Sequence, residues 1–183
     1  MPAATNNNTV DTNYFIITAA AVLLTWILHE FAHWAAGTLL GYDMVMTLNT
    51  GYSLTSAEEG HNQIIDAAGP AITLLQALSI FMLMRRYPNK LLYGFLFACL
   101  YCRLLATAMS LLNLNDEARI STFLGIGTFT LPLIISAILL LLVYKTSQQY
   151  GFNKKFNLIN TGLVMLFSSI IILADQFFHI QLL

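Results

Sequence analysis

The chain has 183 residues, of which 57% are apolar and only 9% are charged. Soluble domains carry about 25% charged residues, so this composition excludes an ordinary soluble protein and predicts a membrane protein. The net charge of −1 does not indicate a class of partner, and we expect no nucleic-acid partner.

Five apolar stretches are long enough to cross a bilayer as helices, which takes about 20 residues for about 30 Å of hydrocarbon. They are residues 14–40, 62–84, 91–112, 122–144 and 156–178. The first lacks a basic segment before it and is too long for a signal peptide, so we expect it to be retained. Residues 1–13 are polar and are predicted to form a disordered tail. Residues 14–183 are predicted to form a single transmembrane domain of the all-α, polytopic class.

Two histidines and a glutamate interrupt the first apolar stretch in the pattern H-E-x-x-H, at His29, Glu30 and His33. On a helix, the i, i+4 spacing places both imidazoles on one face, where they can bind one Zn²⁺ at about 2.0–2.1 Å. Glu30 lies beside that face, placed to take a proton from a water activated by the metal and to pass it to a leaving amine. The alternative is three polar residues at an interface or facing the bundle without a metal. Ionisable groups within a span are costly, which favours the functional interpretation.

Two histidines do not complete a catalytic zinc site, which usually has three protein ligands and one open position. The third ligand must come from elsewhere in the chain, and depth in the membrane excludes none of the candidates near this end of the spans. They are Asp66, Asp116, Glu117, Asp175, His61 and His179. The i, i+4 pair of Asp175 and His179 is also typical of ordinary residues at a membrane interface.

The segment after the first stretch alternates apolar and polar residues around a turn signal. Met46, Leu48, Tyr52 and Leu54 are separated by polar residues on either side of the sequence NTG at 49–51. This pattern predicts a short β-hairpin. The alternative is an ordinary polar loop between helices.

The third stretch contains a C-x-x-C pair and one basic residue. Without a second pair, Cys99 and Cys102 are interpreted as small apolar packing residues rather than metal ligands. Arg103 lies near the middle of the span, where a guanidinium needs a partner. Asp66 and Asp175 are its predicted counter-ions, and stabilisation of an oxyanion is the alternative role.

The H-E-x-x-H motif, the sequence AAGPAITLL at 67–75 and the sequence NLNDEARI at 113–120 together resemble the site-2 protease family of intramembrane zinc metalloproteases. The resemblance covers a three-helix core of about residues 20–120 and leaves residues 122–180 as accessory helices. It implies one Zn²⁺ ion held by His29, His33 and Asp116. Glu117 and Asp66 are the rival third ligands.

The resemblance also implies how a substrate would be held. The small residues of the second span permit close backbone approach, and Asn113 matches an asparagine of the family. Possible substrate or transition-state contacts are Asn113, Gly69, Pro70 and Thr73, the last of which stands near a position where the family commonly has asparagine. Family members carry a strand-like, membrane-associated segment at the place of the predicted hairpin, thought to receive substrate by strand addition.

The function implied is hydrolysis of peptide bonds in or near transmembrane segments, with a transmembrane or signal-peptide-like protein as substrate within a lipid bilayer. Two alternatives stay open, a catalytically silent zinc-binding pseudoprotease that binds membrane helices and a metal-handling membrane protein. The intact Glu30 argues against the first, and ionisable groups concentrated toward one side argue against the second.

The distribution of basic residues predicts an orientation. With five spans, six basic residues share a side with the N-terminus and only Arg119 lies opposite, which favours a cytoplasmic N-terminus. The resemblance favours the reverse orientation, so both stay open. The six are Arg85, Arg86, Lys90, Lys145, Lys154 and Lys155.

Overall fold

The computed structural model describes residues 8–183, which contain six helices and one small sheet. Five helices are long and apolar enough to cross a membrane, and a two-stranded antiparallel hairpin follows the first. The predicted fold class is therefore confirmed. The helices are α1 (Thr12–Leu39), α2 (Glu59–Arg86), α3 (Lys90–Met109), α4 (Asp116–Phe123), α5 (Thr130–Tyr150) and α6 (Lys154–Phe178), and the strands are β1 (Met44–Met46) and β2 (Gly51–Ser53).

Helix α1 begins two residues before the predicted span, because a side chain caps it. The Asp11 carboxylate accepts hydrogen bonds from the backbone N–H of Tyr14 and from Lys90 Nζ, both at 2.8 Å. It thereby pairs one of the backbone N–H groups that the first turn of the helix leaves without an acceptor. The side chain of Asn8 donates to the carbonyl of Gly151 at 3.2 Å. Residues 1–7 of the predicted disordered tail lie outside the described residues. Residues 8–13 differ from that prediction, since they bind the start of α3 and the α5–α6 connection.

The fourth predicted span is wrong in its boundaries. Residues 122–144 were expected to form one helix, but α4 ends at Phe123 and α5 begins at Thr130. Between them Gly125 and Gly127 have φ angles of 67° and 92°, a conformation that residues with a Cβ rarely adopt. The apolar run therefore contains a break that composition alone does not reveal.

Two apolar clusters hold the helices together. The first joins α1, α2, α3, α5 and α6 toward the N-terminal end of α1, and the second joins α1, α3 and α6 nearer the middle. Cys99 lies in the first and Cys102 in the second, as expected of packing residues. The buried members of the first are Tyr14, Ala77, Ile80, Met84, Tyr93, Leu96, Cys99, Leu100, Leu139, Val143 and Phe156. Those of the second are Val22, Trp26, Ala98, Cys102, Val164 and Ile171.

The predicted hairpin is confirmed and lies directly on α1. Val45 pairs with Tyr52 in its register, and a backbone hydrogen bond from Thr47 to Thr50 closes the turn at 2.8 Å. A Cβ on Gly51 would lie 3.1 Å from His33 Cβ. A Cβ at this distance would be tighter than an ordinary contact, so the absence of a side chain at Gly51 lets the strand lie this close to the H-E-x-x-H segment without strain.

Helix α6 and the residues after it hold the other side of the hairpin. The Asp175 carboxylate accepts hydrogen bonds from Thr47 Oγ1 at 2.9 Å and from the N–H of Leu48 at 3.1 Å. Beyond α6, the N–H of Leu182 donates to the carbonyl of Met46 at 2.8 Å. The hairpin is thus fixed between α1 and α6, next to the candidate site.

Candidate metal centre

Three side chains from two helices converge on one point. His29 and His33 come from successive turns of α1, and Asp116 is the first residue of α4. His29 Nε2 lies 3.2 Å from His33 Nε2 and 3.2 Å from Asp116 Oδ2, and His33 Nε2 lies 3.4 Å from the same oxygen. Both histidines are buried. This buried group could hold a metal ion.

The hydrogen bonds on the far side of each ring decide which nitrogens carry protons. His33 Nδ1 lies 2.6 Å from the carbonyl oxygen of Ile65, which can only accept, so Nδ1 donates. His29 Nδ1 lies 3.1 Å from Thr73 Oγ1, and that hydroxyl already donates to the carbonyl of Gly69 at 3.0 Å. His29 Nδ1 therefore donates as well. In the neutral rings both Nε2 atoms are then unprotonated and carry a lone pair, the form that binds metals.

This geometry fits a divalent cation. Two nitrogen lone pairs and a carboxylate oxygen face one another at 3.2–3.4 Å, and a cation between them would bind all three. A tetrahedral Zn²⁺ with bonds of about 2.0–2.1 Å keeps its ligand atoms about 3.3–3.4 Å apart. The spacing of the three atoms therefore matches that of three ligands of one small cation.

Helix α2 passes so close to the two imidazoles that only glycine fits. A Cβ atom on Gly69 would overlap His33 Nε2 and His29 Cε1. Pro70, the next residue, is buried inside the same helix. The small-residue segment predicted from the sequence to allow close approach thus contacts the ligands.

Arg119 of α4 holds Asp116 in place. Arg119 binds both carboxylate oxygens of Asp66, at 2.6 Å through Nη2 and at 2.7 Å through Nε, and its Nη2 lies 3.0 Å from Asp116 Oδ1. These bonds to Asp66 raise the pKa of Arg119 above its ordinary value. With Oδ1 held by Arg119, the other oxygen of Asp116 is directed at the histidines.

Arg103 of α3 also reaches the site, which corrects the predicted pairing. Its Nη1 donates to Glu117 Oε1 at 2.9 Å, and its Nη2 lies 3.2 Å from His29 Nε2. The expected counter-ions Asp66 and Asp175 are wrong, because the chain turns after α3 and α4 packs back against α2 and α5. That turn brings the start of α4 to the arginine.

A cavity of about 400 Å³ opens on the site, within the usual range for ligand pockets. Glu30, 6% exposed, shares this cavity with both histidines and Asp116. The hairpin contributes Asn49, Thr50 and Gly51 to the lining. The cavity therefore joins the candidate ligands, a carboxyl group and the backbone of a short strand.

The expected substrate contacts are placed differently. Asn113 is exposed and is not among the cavity-lining residues, whereas Asn115 lines the cavity and donates to the carbonyl of Ala106 at 2.6 Å. Gly69, Pro70 and Thr73 also lie outside the lining. Gly69 and Thr73 contact the histidines, and the role of Gly69, Pro70 and Thr73 as substrate contacts stays a prediction.

The other candidate third ligands lie in separate contacts. Glu117 binds Arg103, Asp66 binds Arg119, and Asp175 binds the hairpin. His61 Nδ1 lies 2.8 Å from the Tyr42 hydroxyl, and His179 ends α6 in a left-handed conformation. Of the six candidates in the described chain, Asp116 is the one grouped with the two histidines.

Sequence reasoning missed the role of Arg119. Its position three residues after Asp116 on one helix face was a usable signal, since i, i+3 pairs of opposite charge interact. The Ile65 carbonyl that fixes His33 had no signal, because any residue supplies one.

Comparisons of the chain with protein-family models, with curated proteins and with solved structures found no match. The chemistry available at the site therefore follows from its own side chains. These are a buried group that could hold a metal ion, a carboxyl group in the same cavity and two arginines.

Proposed function

We propose that the chain is an intramembrane zinc metalloprotease, similar to the site-2 protease family, that hydrolyses peptide bonds in or near transmembrane segments. The observation that supports this most is the meeting of His29 Nε2, His33 Nε2 and Asp116 Oδ2 at 3.2–3.4 Å. It occurs in a cavity that Glu30 also lines.

Zinc is the ion we propose, held by two imidazoles and one carboxylate. Three protein ligands with one open position are typical of catalytic zinc sites. Two histidines and a carboxylate also suit ferrous iron. Glu30, placed next to the ligand His29, favours hydrolysis, because proton transfer to and from water is what a carboxylate at that position can do.

The proposed reaction divides its tasks among these residues. A zinc ion bound there would polarise the scissile carbonyl and lower the pKa of a water molecule toward about 7. Glu30 accepts a proton from the attacking water and then donates it to the leaving amide nitrogen. His29 and His33 stay neutral throughout, each fixed by its Nδ1 hydrogen bond.

The substrate must present an unwound peptide, since a helix hides its amides in its own hydrogen bonds. The turn of the hairpin and the first residue of β2 line the cavity, and the exposed Tyr52 of β2 lies next along the strand. We propose that an extended substrate segment binds along this strand by backbone hydrogen bonds. A transmembrane or signal-peptide-like protein supplies such a segment when it unwinds locally.

The test measures metal content and cleavage of model transmembrane substrates on purified protein. Glu30→Gln is expected to keep one zinc per chain and to lose cleavage, because its amide cannot take a proton. Asp116→Asn is expected to lose zinc. The matched controls are Glu59→Gln and Asp43→Asn, which change exposed residues and are expected to behave like the wild type.

Two results would contradict the proposal. A wild-type protein that holds zinc yet cuts no transmembrane substrate would favour a pseudoprotease that binds helices. A protein that holds stoichiometric iron, and cleaves nothing when reloaded with zinc, would assign the site to other chemistry.

A further inference from the structure

Arg103 faces the candidate ligands with both ends of its guanidinium. The side chain is 3% exposed and comes from α3. Nη1 lies 3.5 Å from Asp116 Oδ2, and Nη2 lies 3.2 Å from His29 Nε2. Two of the three atoms that would hold the metal are therefore direct neighbours of one permanent positive charge.

The guanidinium has more donors than good acceptors. Of its five N–H groups, one makes a strong ion pair with Glu117 at 2.9 Å. Nη2 also lies 3.4 Å from Cys102 Sγ, a weak acceptor. Nε has no hydrogen-bond partner among the described residues. Arg103 is thus held by Glu117 and still has donors to offer.

Loading the site with a metal would free a further donor. The lone pair of His29 Nε2 cannot bind a cation and accept a hydrogen bond from Nη2 at the same time. Nη2 would then keep only the weak acceptor Cys102 Sγ, at the edge of a cavity that Arg103 and Glu30 both line. One buried N–H of Nη2 would be left without a partner, which is unfavourable, so an oxygen atom of a substrate in the cavity would be stabilised there.

The charges around Arg103 also favour a substrate oxygen at this place in the cavity. A guanidinium beside a divalent cation is unfavourable unless negative charge lies near both. Glu117 and Asp116 supply part of it, and an oxygen that becomes negative during the reaction would supply more. If Arg103 served only to pair with Glu117, its charge within the span would be neutralised and Nη2 would not need to lie beside His29.

We propose that Arg103 binds the carbonyl oxygen of the scissile peptide bond and stabilises the negative charge that develops on it. This inference rests on the proposed function. The water oxygen bonds to the carbonyl carbon while Glu30 takes the water proton, and the carbonyl π electrons move to the oxygen that faces Arg103. The C=O bond then re-forms as the carbon–nitrogen bond breaks, and the proton on Glu30 goes to the nitrogen.

The experiment compares the zinc-loaded wild type with the double variant Arg103→Gln/Glu117→Gln, which leaves no buried carboxylate unpaired. We expect kcat to fall about 10²–10³-fold, the effect of removing one oxyanion donor, with little change in KM. A phosphinic analogue of the cleaved peptide, which carries a tetrahedral anion, should bind weaker by a similar factor. Zinc content should stay at one per chain.

Two further variants complete the design. Arg103→Lys keeps the positive charge but loses the planar guanidinium fork. It should lose less activity than the double variant, and it tests the role of Arg103 if the double variant does not fold. Arg85→Gln removes an exposed arginine at the end of α2 and should match the wild type.

A folded, zinc-loaded double variant with unchanged kcat and unchanged affinity for the phosphinic peptide would overturn this inference while leaving the proposed function intact. Loss of zinc in that variant would also overturn it, because Arg103 would then position the ligands. A wild type that cleaves nothing overturns the proposed function, and this inference with it.

Discussion

The ligand atoms of the candidate site are aimed by partners outside it. Thr73 fixes the ring of His29, the Ile65 carbonyl fixes the ring of His33, and Arg119 holds one oxygen of Asp116. Such partners set both the proton position and the direction of each ligand, and their loss typically weakens metal binding. The cluster is therefore preorganised before any ion arrives.

Replacing Gly69 by alanine should damage the site directly. The new Cβ would overlap both imidazoles, which their Nδ1 hydrogen bonds prevent from moving aside. We expect weaker zinc binding and a loss of about 1–3 kcal/mol in the free energy of unfolding, as for other overpacked sites. Metal titration and thermal unfolding in detergent measure both quantities.

The control for this variant is Gly162→Ala. Gly162 lies in α6 with open space where its Cβ would be, so alanine should leave zinc binding unchanged. If Gly69→Ala bound zinc as tightly as the wild type, the close approach of α2 to the ligands would be irrelevant to the site.

Replacing Arg119 by glutamine should weaken zinc binding without removing any ligand. Asp116 would lose the hydrogen bond that holds Oδ1, and Asp66 would lose its bidentate partner. We expect an affinity about 10–100-fold lower, measured by competition with a chelator. Arg86→Gln, an exposed change at the opposite end of the bundle, should have no effect, and equal affinities for the two variants would refute the role of Arg119.

At the scale of single residues, spacing predicted what lies on one helix and missed what crosses between helices. The sequence predicts that one helix brings together His29, Glu30 and His33, because the helical repeat sets their relative positions. The ion-pair partner of Arg103 could not be predicted from the sequence, because it depends on how the chain turns after α3. The same turn places Asn115 rather than Asn113 at the cavity.

At the scale of elements, the hairpin is the part of the site most dependent on distant contacts. Its strands pair over three positions only, and a two-stranded hairpin is marginal by itself. Alternation around a turn signal predicted its presence. It could not predict that Asp175 of α6 holds the turn, since that contact spans 128 residues.

Asp175→Ala should loosen the hairpin while leaving the metal in place. The N–H of Leu48 would lose its carboxylate acceptor, and hydrogen bonds to charged groups contribute about 1.5–3 kcal/mol. We expect the Leu48 amide to exchange about 10-fold faster or more in hydrogen-exchange measurements, and substrate cleavage to fall. Gln176→Ala, an exposed neighbour, is the control, and unchanged exchange in Asp175→Ala would show that the turn is held by other contacts.

Hydropathy located the first, second, third and fifth spans within a few residues of the observed helices. It misplaced the fourth span, which was predicted at residues 122–144 and is α5, Thr130–Tyr150. Apolar residues run from Phe123, at the end of α4, through the connection and into α5, so the hydropathy pattern does not mark where α5 begins. The break comes from two glycines with positive φ, and it frees α4 to carry Asp116 and Glu117 to the site. A local backbone feature thus determines which residues the bundle brings together.

At the scale of the whole molecule, the two ends of the bundle differ. One end gathers residues 8–11 with the α2–α3 and α5–α6 connections, including Lys90, Lys154 and Lys155. The other gathers the hairpin, α4 and the candidate metal centre. The chain has five helices long and apolar enough to cross a membrane, which fits a multi-pass protein in a lipid bilayer.

The central claim is that His29, His33 and Asp116 hold one zinc ion, and X-ray absorption at the zinc edge of the purified protein tests it most directly. We predict one zinc per chain with only nitrogen and oxygen ligands at about 2.0–2.1 Å, an imidazole signature from two histidines, and loss of the signal in Asp116→Asn. Protein without stoichiometric zinc, or zinc bound by the sulfurs of Cys99 and Cys102, would contradict it.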